Sequence, residues 1–143
     1  MPRSEGERDG AAIDTNQARA TGASLTGAIS TAIVAVMREY VGRGPTKART
    51  TIRDNVVVVL LEDTLTRGEA VLVRNDRAAK VLDIRAEFQL AMREACIRRV
   101  EELSGTKVTA MMSANHIDPD LAAEIFVLDR APEADGNPST HEH

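Results

Sequence analysis

The chain has 143 residues, 43% hydrophobic and 28% charged, with a formal net charge of -4 and a pI near 5.4, which fits one domain with apolar material for a core. Collagen-like, mucin-like and wholly disordered classes are excluded, and no apolar run is longer than the six residues 56–61, far short of the about 20 residues that cross a bilayer. Cys96 is the sole cysteine, so an internal disulfide and a multi-cysteine zinc site are excluded too.

Residues 1–23 mix Gly, Ala, Ser, Thr and charges around an isolated Ile13, too little apolar surface to offset ordering entropy, and are expected to form a mobile arm. The opening MPRSEGERDG has no charged n-region followed by an apolar run, so the expected compartment is the cytoplasm. Leu25, Ile29, Ile33, Val36, Met37 and Tyr40 then fall on one helical face. Ser24 is the expected N-cap, and Gly42, Gly44 and Pro45 end this helix. A strand over 48–52, turn residues at Arg53, Asp54 and Asn55, and the β-branched run 56–62 predict a hairpin whose second strand is buried.

Thr66-Arg67-Gly68-Glu69 has the spacing of a capping box and predicts a short helix over 67–73. Asn75 and Asp76 break and recap it. Ala78, Val81, Leu82, Ile84, Phe88, Met92, Ala95, Cys96, Ile97, Val100 and Leu103 follow at helical spacing. A helix over 76–104 would be about 43 Å long, more than a small sheet can cover. Strands over 107–113 and 121–129, joined by the seven residues 114–120, complete a second hairpin. Residues 131–143 read as a disordered tail, leaving one domain over 24–130.

Both halves run helix, glycine break, Thr-Lys, strand, polar turn, strand, acidic stop. The fold class expected is α+β: an αββ-αββ pseudo-repeat forming a four-stranded, mainly antiparallel sheet with helices on one face.

Arg43, Lys47 and Arg49, with Arg38 and Arg53 nearby, gather positive charge that could hold an anion or an acidic patch on a partner. The spacing is not that of a Walker loop. Asn115 and His116, with Asp118 and Asp120, form a second polar cluster, readable as turn chemistry or as a base with an orienting carboxylate. Cys96 lies along the apolar stripe of the long helix and reads as a small buried hydrophobe. Arg85, Arg93, Arg98 and Arg99 alternate with Asp83, Glu87, Glu94, Glu101 and Glu102, which reads as a solvated face. That cancelled charge and only three aromatics, Tyr40, Phe88 and Phe126, argue against nucleic acid as a partner. No cofactor or metal is expected. The surplus apolar face of the long helix, around Phe88, Met92 and Ile97, is expected to meet a second copy in a homodimer.

The stretches EYVGRGPTKARTTIRDNVVVVLLEDTLTRGE, AMREACIRRVEELSGTKV and SANHIDPDLAAEIFVLD resemble the MpsC family over residues 22–129. The motifs that carry the resemblance are GRGPTKAR at 42–49, Leu65-Thr66 with Glu69, and the Asn115-His116 hairpin ending in Phe126-Val127-Leu128. The resemblance implies a small bacterial protein without established catalytic residues, associated with membrane subunits of a sodium-translocating system linked to sodium and bicarbonate uptake. The resulting expectation is a non-enzymatic accessory or regulatory protein with a membrane transporter as possible partner and no membrane insertion of its own. The alternatives are a small anion- or nucleotide-binding sensor using Arg43, Lys47 and Arg49, and an enzyme using His116 and Asp118.

Overall fold

The computed structural model describes residues 22–132, with side chains from Leu25 onward. Its elements are α1 (Gly22–Val41), β1 (Lys47–Arg53), β2 (Val56–Glu62), α2 (Arg67–Arg74), α3 (Ala78–Ser104), β3 (Val108–His116) and β4 (Leu121–Leu128). Apart from residues 22–23 and 131–132, the expected arm and tail lie outside the described residues. Of those four residues, Gly22 and Ala23 are helical and Pro132 is buried.

Helix α1 forms because Leu25, Ile29, Ile33, Val36 and Met37 share one face, and all five are buried. It starts before Ser24, which is therefore an interior residue and not the cap. It stops where Gly42 takes φ 95° and donates its N–H to Arg38 O at 3.0 Å, a left-handed closure that suits glycine. The capping box is formed: Thr66 Oγ1 accepts from Glu69 N at 3.1 Å, and Glu69 Oε1 accepts from Thr66 N at 2.9 Å. Asn75 closes α2, but Asp76 does not recap α3, since Arg77 holds the N-cap position without a side-chain hydrogen bond. Gly105, at φ 76°, ends α3 after 27 residues.

The sheet is antiparallel throughout, in the order β1-β2-β4-β3. The two hairpins meet along β2 and β4. The second connection is shorter than expected: pairing runs on through His116↔Leu121 and leaves only residues 117–120 as the turn. A bulge at Thr109 shifts the register between Val108 and Ala110, and Thr109 Oγ1 bonds Val127 O at 3.1 Å.

Period-two alternation sorts the strands into two faces. Val57, Val59 and Leu61 of β2 and Ala122, Glu124, Phe126 and Leu128 of β4 are buried under α1 and α3. Val56, Val58 and Leu60, with Leu121, Ala123, Ile125 and Val127, point the other way and are only half-buried. The valine run thus differs from the expected buried strand: helices cover one of its faces, and no described element covers the other.

Candidate functional site

Beneath the α3 layer lies a polar cluster assembled from four elements. The capping box fixes Glu69 at the start of α2. Arg85 and Gln89 follow one another at i,i+4 on α3, while Ser113 and Asn115 sit two apart on β3. Glu124 of β4 pairs in register with Ser113, so their side chains meet on the covered face. Arg85 Nη2 reaches Glu69 Oε1 and Nη1 reaches Asn115 Oδ1, both at 3.3 Å. Gln89 Nε2 donates to Asn115 Oδ1 at 3.1 Å and to Glu124 Oε2 at 3.3 Å, and Asn115 Nδ2 returns a bond to Gln89 Oε1 at 2.9 Å. Ser113 Oγ donates to Glu124 Oε1.

These charges are out of water: Arg85, Glu69 and Glu124 are 8%, 7% and 2% exposed. Burial pushes the Glu124 carboxyl up to about 7, although the bonds from Ser113 and Gln89 and the nearby Arg85 charge pull it down. Arg85 Nε is buried without a hydrogen-bond partner. Beside it, Met37, Val41, Phe88 and Met92 enclose a cavity of about 20 Å³, room for one water. The cluster can therefore hold or release a proton at Glu124 near neutrality. Among the described residues, no three His, Cys, Asp or Glu side chains come together as a metal site.

Of the candidate binding residues Arg43, Lys47, Arg49, Asn115 and His116, the structure brings only Asn115 into this cluster. Arg43 stays outside the cluster but next to its capping box, where it donates to Leu65 O and pairs with Asp63 at 3.5 Å. Arg49 pairs with Glu62 at 3.2 Å, and Lys47 stands exposed opposite Glu62 in the β1–β2 register. His116 is exposed, and its Nδ1 donates to Pro119 O at 2.8 Å. Cys96 is buried, and desolvation with the Glu124 charge pushes its thiol up to about 12, so it carries no thiolate at neutral pH.

The long helix distributes its apolar residues differently from expectation. Met92, at 3% exposure, is a core residue, and Phe88 and Ile97 are half-buried. The large side chains that α3 exposes are Leu82, Ile84 and Leu90. Arg85, expected on the solvated face, points inward to Glu69, whereas Arg99 does pair with Glu102 on the surface.

Asp120 has a structural task. Its Oδ1 accepts from Thr64 Oγ1 and its Oδ2 from Leu65 N, both at 2.8 Å, and its carbonyl accepts from Asp63 N at 3.1 Å. This turn thereby ties β4 to the start of α2. Asp120→Ala should lower unfolding free energy by about 2–3 kcal/mol, because the 2%-exposed Thr64 hydroxyl and the Leu65 amide lose a charged acceptor. Urea denaturation of the variant measures this directly.

The family model for MpsC, described as "Na+-translocating membrane potential-generating system (MpsC)", matches residues 21–130. The chain belongs to the MpsC family. The match covers every element from α1 to β4, so the polar cluster, the cationic loop and both hairpins lie within the MpsC unit. No curated protein and no solved structure matches the chain. Among the described residues, no helix is long and apolar enough to cross a membrane.

Proposed function

We propose that this MpsC member is a non-enzymatic accessory or regulatory component of a Na+-translocating, membrane-potential-generating system, working at the cytoplasmic side by docking on membrane subunits. The observation that supports this reading is the apolar surplus of α3. Leu90 is 70% exposed on the side of α3 away from the core, and Leu82 at 39% and Ile84 at 38% lie on the two flanks of the helix. Leu90 also borders a groove between α3 and the edge strand β3, lined by Ala86, Gln89, Arg93, Met111 and Ser113. Contact with a partner there would remove apolar surface from water, the main favourable term in association.

The sensor reading is weaker, because Arg43 and Arg49 already hold carboxylates and only Lys47 of that trio has no ion pair. The enzymatic reading is weaker as well, because the His116 ring nitrogen nearest the turn is occupied by a backbone carbonyl.

The test uses vesicles from cells lacking the gene, read with a voltage-sensitive dye after a sodium pulse. Added protein should restore the sodium-dependent potential, and Leu90→Lys, with an unchanged circular dichroism spectrum, should restore little of it. Equal potentials with and without the protein would refute the accessory role.

A further inference from the structure

We propose that two copies of this chain associate face to face through the outer side of the sheet, about a two-fold axis running along the strands. The site is separate from the α3 surface assigned above and does not depend on that assignment. The outer face carries Val58 and Leu60 on β2, Ala123, Ile125 and Val127 on β4, and Met112, 51% exposed, on β3. An antiparallel sheet with one solvated face ordinarily alternates apolar with polar residues, and the two central strands here place aliphatic side chains on both faces.

Residues 1–21 and 133–143 do not carry the means to cover it. Residues 1–21 contain Met1 and Ile13 as their only large apolar side chains, and residues 133–143 contain none. A second copy supplies a matching face of the same chemistry, as an isologous interface requires.

Size and charge agree with that occupant. Strands of seven to nine residues, about 3.3 Å per residue and about 4.8 Å apart, make a face of about 500 Å². Two such faces bury about 1,000 Å², the lower bound for a specific association, so a dissociation constant of about micromolar order is expected. The outer row of β1 is basic, with Lys47, Arg49 and Arg53, at one edge of the sheet, and β3 forms the other edge. A two-fold across the strands would stack the basic rows on each other. A two-fold along the strands sets each β1 over β3 of the second copy. The end row of the sheet reads Lys47, Glu62, Leu121, His116, so Lys47 then lies over the turn that carries exposed Asp118 in the second copy. Within one chain, Lys47 and that turn are two to three strand spacings apart, about 10–14 Å, so only a product joining labelled to unlabelled chains reports the contact between copies.

Sedimentation of the full chain should show a dimer that Ile125→Lys or Leu60→Lys converts to a monomer with an unchanged circular dichroism spectrum, while Leu90→Lys leaves it dimeric. Because a lysine on the sheet could impair folding, carbodiimide cross-linking of mixed isotope-labelled and unlabelled wild-type chains gives a second reading. It should join Lys47 of one copy to Asp118 of the other. A wild-type chain still monomeric at about 100 μM overturns the proposal. So does a dimer that Leu90→Lys disrupts and Ile125→Lys spares, or one that yields no Lys47–Asp118 product between chains. Failure of the vesicle experiment with an intact sheet-face dimer would remove only the accessory role.

Discussion

Arg85→Ala is expected to destabilise the fold by about 3–5 kcal/mol, a large part of the about 5–15 kcal/mol that holds a domain of this size together. The guanidinium is 8% exposed and pairs with Glu69 through one arm, while its other arm holds Asn115. Truncation leaves the Glu69 carboxylate buried with only its capping bond to Thr66, and frees one acceptor site on Asn115. The loss reflects an abandoned charge more than the worth of the ion pair. Restoring the volume and removing the charge should therefore recover most of it. Arg85→Met with Glu69→Gln keeps the apolar stem and the capping box, since glutamine accepts the Thr66 N–H as glutamate does. The orphaned Arg85 Nε makes this recovery more complete, because the native guanidinium has not regained in hydrogen bonds all the hydration it lost. Urea midpoints of the single and double variants measure both effects, and a double variant as unstable as Arg85→Ala would refute the explanation.

Those residues also mark where sequence pattern stops being informative. Elements set by local chemistry are legible. The i, i+4 stripe of α1, the Thr66–Glu69 box and the glycine stops at Gly42 and Gly105 each depend on residues within one or two turns of each other. The hairpin β1–β2 is legible for the same reason. Arg85 is different. Its neighbours in sequence, Asp83 and Glu87, make it look like one more cation on a wet face, and only Glu69, 16 residues away, and Asn115, 30 residues away, turn it inward. A signal was available in Glu124, which interrupts the inward set Ala122, Phe126 and Leu128 on an alternating strand. A charged residue at an inward position implies a buried partner, although its identity depends on the tertiary fold. The partners of the loop cations were hidden for the complementary reason. Asp63 pairs with Arg43 beyond the end of the hairpin and Glu62 pairs with Arg49 across it, and the second pairing depends on strand register. The outer sheet face was hidden by the four valines themselves, since an unbroken apolar run does not tell which side a helix covers.

The largest pH effect should come from Glu124. Burial raises its carboxyl from the ordinary 4.5 to about 7, so the folded protein holds a proton that the unfolded chain has released between those values. Its contribution to stability is then full below about 4.5, falls as pH rises, and is lost above about 7, a change on the order of 3 kcal/mol. The opposite linkage comes from Asp129, whose carboxyl is held low by the Thr106 hydroxyl and Arg130. Its contribution falls as pH drops below the ordinary carboxylate range, outside the window of Glu124. Wild type should therefore show a urea midpoint that declines between about pH 5 and pH 8. Glu124→Gln keeps one acceptor oxygen for Gln89, turns an amide donor to the Ser113 hydroxyl, which can accept, and carries no titrating proton, so its midpoint should stay nearly level there. The two curves should separate in the variant's favour above neutrality. Parallel curves would mean that the Glu124 carboxyl ionises alike in the folded and unfolded chains, and that the α3 layer admits water to it.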